Sequence, residues 1–415
     1  MARFGYMTIR RKTVGVRAHC SSIVTAMHIG MIGCTAPSHI YPSLGLVSEL
    51  VRRGHRVTYA VGDAVADLVE PAGIELVSFT SILPQGEENW PEDPASAMRV
   101  FLDEAIYAFG VLTDFYDDNR PDLLLYDIGG LAAPVLGRRY SVPAVQLSPT
   151  YVAWDGYEED MGEVLVQIRE SESGRRYYSA YSSWLRENGV DADPWQWISH
   201  PDDVLSLVPR VMQPNADRVP ETVRFVGPCM DLARLTNSCW APPTDGARVL
   251  LVSFGTGFNE RPDFYRTCIE AFAGTEWHVV ISIGHRVDAG ELGPVPSNIE
   301  IRPHVPQLAV LAAASAFVTH AGMGSCTEAL WFAVPTVAIP QAVDQFGNAT
   351  MLEELGVGVR LDDEDVTAYS LLQAVEGVAN SPELAARLAH ISADVRAHGG
   401  IAHAADAVES RLPAR

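Results

Sequence analysis

The sequence is poor in positive charge. Its 415 residues hold 30 Lys and Arg against 52 Asp and Glu, a net charge of −22. Such a surface repels phosphate backbones, which excludes nucleic acid as the main partner. An anionic small molecule needs local donors here, such as helix N-termini. Cysteine is sparse too: Cys20, Cys34, Cys229, Cys239, Cys268 and Cys326 are scattered, with no C-x-x-C pair and no histidines at zinc spacing. That reads as free thiols in a reducing, cytoplasmic compartment. No run of about 20 apolar residues is free of charges or breakers, so neither a membrane span nor a membrane partner is expected. What is present is an ordinary globular composition, 47% apolar and 20% charged, which excludes a largely disordered chain. At roughly 100–200 residues per domain, the length accommodates two.

Residues 1–27 carry Arg3, Arg10, Arg11, Lys12 and Arg17 and no acid. TIRRKTV has the look of a twin-arginine signal, but Arg17 and His19 interrupt any apolar segment behind it. A disordered extension is the expectation, with Met27 as an alternative start. From His28 the chain alternates strand and helix signals. HIGMIGC is followed by a helical pattern from Pro42 to Arg53, then by RVTYAV, IELVSF, a helical stretch from Ala95 to Tyr116, DLLLYD and PAVQL. The rhythm predicts a parallel sheet covered on both faces. From Tyr151 to His200 an aromatic-rich stretch breaks it, expected as inserted helices in which some aromatics line an apolar pocket and most are packing. Residues 230–247 read as a linker. A second series then runs through RVLLVSFGTGF, HVVISIG, IEIRP, AFVTH and PTVAIP. The expected fold is α/β: two Rossmann-like, doubly wound parallel-sheet domains, 28–229 and 248–395, with a cleft between them where strand carboxyl ends meet ligand. Residues 396–415 are expected as a terminal helix packing back on the first domain.

The strongest chemical signal is VTHAGMGSCTEAL, Val318–Leu330. A strand ends at His320, Gly322 and Gly324 allow close approach of the backbone, and a helix N-terminus then offers free N–H groups. Such a tip grips a diphosphate without a metal. Ser325 adds a hydroxyl. Glu328, one turn on, suits a ribose diol better than a phosphate. Upstream lies His304-Val305-Pro306-Gln307; downstream, Asp344-Gln345 supplies two acceptors for sugar hydroxyls. Ser253, Gly255 and Thr256 form the first strand-to-turn junction of this half and flank the same place.

VPQ, THAG, S-x-x-E and DQ in this order resemble the donor-binding signature of nucleoside-diphosphate-sugar-dependent glycosyltransferases of the GT-B fold. The first half adds H-I-Y-P after the first strand and YDIGG after the fourth. Together with QPNADRV, FVGP and DQFGNA, the wording is similar to the bacterial macrolide glycosyltransferases, from about His28 to the C-terminus. The resemblance implies that His39 is the catalytic base and Asp127 its carboxylate partner. It implies further that His320, Ser325 and Glu328 contact the diphosphate and ribose, and that Asp344 and Gln345 contact the sugar. The chemistry agrees. A hydroxyl acceptor needs a base as the new bond forms, histidine is tuned for that, and a carboxylate fixes its tautomer.

The expectation is therefore an inverting, metal-independent transferase. It takes a nucleotide sugar, with UDP-glucose as co-substrate and no cofactor, and a hydrophobic small-molecule acceptor of macrolide type, and it works as a monomer or homodimer. Tyr41, Tyr151 and Trp154 are the acceptor-side candidates. The chain departs from the family pattern at Pro37-Ser38, at Tyr41 and at His304, where a nucleobase-stacking tryptophan is usual. A TDP-deoxysugar transferase, an epimerase of similar fold and a non-catalytic auxiliary partner stand as alternatives.

Overall fold

The computed structural model describes residues 26–84, 89–236, 239–257 and 259–414. The expected N-terminal extension therefore lies outside the described residues, except for Ala26 and Met27. Met27 is buried, and its carbonyl accepts from the Arg56 N–H, so it already belongs to the folded core.

The first sheet contains β1 (His28–Ile32), β2 (Arg56–Gly62), β3 (Glu75–Phe79), β4 (Leu123–Asp127), β5 (Ala144–Ser148), β6 (Val204–Ser206) and β7 (Val223–Phe225), in spatial order 3-2-1-4-5-6-7. The second contains β8 (Arg248–Ser253), β9 (Trp277–Ser282), β10 (Ile299–Arg302), β11 (Ala314–Thr319), β12 (Thr336–Ala338) and β13 (Gly358–Arg360), in order 10-9-8-11-12-13. Every pairing is parallel. Both sheets are thus doubly wound and mostly hydrophobic along each strand, because helices cover both faces. Burial of β1 and β4 is complete from end to end. Ile29, Met31, Leu123 and Leu125 pack there against Leu44, Leu46 and Val47 of helix Pro37–Arg52, each burial contributing about 1.5–3 kcal/mol.

Order 3-2-1-4 puts the switch point of the first sheet between β1 and β4. Order 10-9-8-11 puts that of the second between β8 and β11. At a switch point the crossovers leave to opposite sides, and a crevice opens beyond the strand ends.

Between β5 and β6 the chain inserts short helices and helix Glu172–Glu187. Tyr177, Tyr181 and Trp184 of that helix are buried with Leu102 and Val135, so these aromatics are packing residues. At the C-terminus the crossing between lobes occurs at Gly399-Gly400. Helix Pro382–His398 packs its Leu388, Ile391 and Val395 on the second lobe. Gly400 N–H then donates to the Val226 carbonyl, and helix Ile401–Glu409 buries Ala404, Ala405 and Val408 in the core of the first. Arg53 bridges this helix through Asp406 at 2.6 Å and Glu409 at 2.7 Å, and Arg411 pairs with Asp203. Among the described residues no helix is long and apolar enough to cross a membrane.

Candidate active site

His39 is the third residue of helix Pro37–Arg52, which starts just past β1 and carries proline at its first position. Asp127 is the last residue of β4, the neighbour of β1, and is 2% exposed. The switch point thus brings together two residues 88 apart in sequence. The His39 Nδ1–H donates to both carboxylate oxygens, 3.0 Å from Oδ1 and 3.1 Å from Oδ2, in the tautomer that leaves Nε2 free to accept. Gly129 N–H donates to Oδ1 at 2.8 Å and fixes the carboxylate from behind. Glycine is required at 129, since a Cβ there would fall 2.9 Å from the Cys34 sulfur. Burial acts to lower the His39 pKa, but the charge and hydrogen bond of Asp127 and the charge of Asp344 outweigh it, so the net shift is upward. The ring keeps 28% of its side-chain surface exposed. Cys34, which the sequence reading left as an ordinary thiol, lies beside the pair: its Sγ, the histidine nitrogen and a carboxylate oxygen fall within 4.8 Å of one another. Burial, Asp127 and Glu104 push that thiol well above its usual range.

The second switch point is built around the His320 ring. Ser253 ends β8 and His320 follows β11. Ala321 at φ +62 turns the chain into helix Met323–Phe332. A Cβ on Gly322 would lie 2.5 Å from His320 Nε2, and one on Gly255, at φ +72, 2.7 Å from its Cε1. Both glycines therefore make room for the imidazole as well as for a ligand. Burial pushes the His320 pKa down to about 4, so the ring is a neutral hydrogen-bond donor rather than a cation. Its Nδ1 has no partner among the described residues. The N-cap of the helix, Gly322, supplies no side-chain bond, and the first turn carries no acid, so the tip's N–H groups stay available to an anion.

Gln307 organises the outer part. Its amide donates to Glu328 Oε2 at 2.6 Å and to Ser325 Oγ at 3.3 Å, so these three residues form one unit. Burial raises the Glu328 pKa, opposed by Gln307 and by the charge of Arg234. His304 is exposed, whereas the Val305 side chain is committed to the core with Trp240 and Val310, leaving only its backbone to a ligand. Asp344 is exposed and accepts from Asn348 at 3.0 Å. Val343 before it holds φ +43, strained for a β-branched residue. The Gln345 side-chain oxygen accepts the Gln341 and Ala342 N–H groups, so it closes its own loop and leaves only the amide nitrogen for a sugar. Ser253 Oγ accepts from Gly255 N–H at 3.3 Å, while Thr256 is exposed.

Of the acceptor-side candidates, Tyr151 bridges the lobes. It packs with Ala321, Met323 and Cys326, lies against Gly347, and its buried hydroxyl has no partner among the described residues. Trp154 is held by Asp160 at 2.7 Å and stands edge-on to Tyr157. Tyr41 lies under the Arg234 guanidinium, 4.4 Å from its ring centre. Arg234, unremarked in the sequence reading, belongs to the linker turn Ala233–Thr236, which packs on helix Gln307–Leu311. Its charge reaches both Glu328 and His304.

A histidine–carboxylate pair at one switch point, opposed by an open helix tip at the other, is the layout of a GT-B glycosyltransferase. Residues 266–409 match the family model described as the C-terminal domain of erythromycin biosynthesis protein CIII-like proteins. The chain is 45% identical to oleandomycin glycosyltransferase of Streptomyces antibioticus over 397 residues, covering 94% of this chain and 92% of that protein. Among solved structures it superposes on the glycosyltransferase of kitacinnamycin with a TM-score of 0.87 at 42% identity, covering 94% of this chain and 100% of the other. It superposes on the calicheamicin glycosyltransferase CalG4 with a TM-score of 0.80 at 34% identity, covering 94% and 98%. The chain belongs to the GT-B glycosyltransferase family, in the group that includes these antibiotic glycosyltransferases.

Proposed function

We propose that this protein is an inverting glycosyltransferase that moves a hexose from UDP-glucose to a hydroxyl of a macrolide or similar hydrophobic natural product. The observation that carries the reading is the His39–Asp127 pair, whose histidine side chain stays partly exposed and is close enough to Asp344 of the other lobe to feel its charge. His39 Nε2 takes the proton of the acceptor hydroxyl, and Asp127 stabilises the imidazolium that forms. The acceptor oxygen attacks the anomeric carbon as the bond to the diphosphate breaks on the opposite side, so an α-linked donor gives a β-linked product. The leaving diphosphate is met by the N–H groups at Met323–Ser325 and by the neutral His320 ring, with no metal required. Glu328, with Gln307 behind it, takes the ribose; His304 stacks on the base. Asp344 holds the sugar, and Tyr151 and Trp154 form the acceptor wall.

The alternative donor, a TDP-deoxysugar, draws support from Gln345. With its oxygen spent on the loop, one expected reader of sugar hydroxyls is lost. The deciding experiment is mass spectrometry of products from a panel of hydrophobic acceptors, with UDP-glucose and a TDP-deoxysugar in competition, with and without EDTA. A product gaining one hexose in the presence of EDTA supports the proposal. A deoxysugar product shifts the donor, and loss of all transfer with EDTA rejects the metal-free mechanism. Undiminished transfer by His39→Ala rejects the assigned base.

A further inference from the structure

Cys34 offers the base pair a third group. Its sulfur, His39 Nδ1 and an Asp127 oxygen lie within 4.8 Å of one another, and the nitrogen and oxygen are already 3.0 Å apart. A tetrahedral zinc with bonds of about 2.0–2.3 Å sets its ligand atoms roughly 3.3–3.6 Å apart. The nitrogen and oxygen, 3.0 Å apart, have to open by about 0.3–0.6 Å, and the sulfur has to close in by about an ångström. Sulfur, imidazole and carboxylate form a donor set that suits Zn²⁺ or Cd²⁺ and disfavours Mg²⁺, which prefers six oxygens. The surroundings favour a cation. Among the described residues the ion-pair partner of Asp127 is the histidine, and the charges of Glu104 and Asp344 reach Cys34 and the ring. Among the described residues Glu104 and Asp344 accept only from uncharged donors. Among the described residues no other cluster of three His, Cys, Asp or Glu brings ligand atoms this close.

We propose that Cys34, His39 and Asp127 form a binding site for a soft divalent cation, Zn²⁺ or Cd²⁺, and that its occupation switches the transferase off. The inhibitory half rests on the assignment of His39 as the base. Metal on Nδ1 takes the place of the proton donated to Asp127; that proton moves to Nε2, the nitrogen that has to receive the acceptor's proton. The Cys34 thiol loses its proton to solvent as it ligates. The ring then carries hydrogen where it must accept one, and its Asp127 hydrogen bond is gone.

The test uses the full chain, stripped with EDTA and freed of chelator. Titration with Cd²⁺ should raise the ultraviolet sulfur-to-cadmium charge-transfer band in the native protein. Most of it should be missing in Cys34→Ala and in Cys34→Val, the second keeping the space filled if the first folds poorly. Zn²⁺ should inhibit sugar transfer, EDTA should restore it, and Mg²⁺ should do neither. Either Cys34 variant should turn over without added metal and need about tenfold or more Zn²⁺ for the same inhibition. A band of equal strength in native protein and variants overturns the site. A band that depends on Cys34 without any inhibition keeps the site and overturns His39 as the base.

Discussion

Replacing Asp127 by asparagine tests the centre of the mechanism without changing its size. In the native protein both carboxylate oxygens lie within 3.1 Å of His39 Nδ1, and Gly129 N–H holds Oδ1 from behind at 2.8 Å. An asparagine that keeps the Gly129 bond through its own oxygen turns its NH₂ toward His39. It then donates to Nδ1, which obliges the ring to carry its proton on Nε2, and a neutral ring in that tautomer cannot act as base. A positioned base contributes about 10²–10⁴-fold to such a transfer. Loss of both tautomer and charge should therefore lower kcat by about 10²–10⁴, or roughly 3–5 kcal/mol of barrier.

The pH profile separates this from a loss of fold. Asp127 raises the His39 pKa above its ordinary 6.5, so native turnover should rise with pH through a midpoint above that value, as the ring becomes neutral. In Asp127→Asn the residual activity should show its midpoint displaced downward. Stability carries the same sign. A histidine pKa raised by folding stabilises fully below the unfolded value and ceases to do so as pH climbs through the folded one. The advantage of the native protein over the variant in urea unfolding should thus shrink as pH rises above the ordinary histidine value of about 6.5. The assay is initial-rate chromatography of the glycosylated product across pH, beside urea titrations of both proteins. Turnover within threefold of native, with an unmoved midpoint, would refute the assigned pair.

Gly322→Ala places a Cβ 2.5 Å from His320 Nε2, so it should cost about 1–3 kcal/mol in urea unfolding and weaken UDP binding by calorimetry. A variant unchanged in both would show that the imidazole does not fill the space between the two glycine turns. Gln307→Ala releases Glu328 and Ser325 together and should raise the donor KM by about tenfold with a smaller change in kcat. An equal fall in kcat at constant KM would move the pair from binding to chemistry. Val408→Asp puts a charge into the fully buried contact of the terminal helix with the first lobe, and should destabilise by about 2–4 kcal/mol in thermal unfolding.

Much of this site was legible because strand ends announce themselves. A short apolar run followed by H-x-x-P or by D-x-G-G marks where a sheet stops, and doubly wound order turns two such stops into one crevice. Position along the chain was therefore enough to bring His39 and Asp127 to one crevice, while their pairing as base and carboxylate came from the resemblance to the macrolide glycosyltransferases. What stayed hidden was lateral. β6, β7 and β13 have three residues each, too few for a period to show, and they owe their state to the neighbour they extend. Cys34 follows β1 by two residues, and no spacing rule places its sulfur beside a histidine five positions on. Arg234 lies in a linker whose composition said only that it connects; packing on helix Gln307–Leu311 is what aims its charge at the second lobe.

The glycines show the same division more sharply. Gly255 and Gly322 read in sequence as room for a ligand, and that reading concerned backbone alone. In the folded chain both also face the His320 ring, which is held neutral by the burial they permit. What the helix tip and the neutral His320 ring present to a diphosphate is thereby hydrogen-bond donors rather than charge, on a protein whose net charge is −22. A site of that kind holds an anion by preorganised N–H dipoles, which depend little on ionic strength, rather than by long-range attraction, which salt screens. Donor affinity should accordingly fall less than threefold between about 0.05 and 0.5 M NaCl, since the Debye length shortens while the contacts persist. A steep loss across that range, measured by calorimetry with UDP, would require a cation at the diphosphate that the arrangement around His320 does not supply.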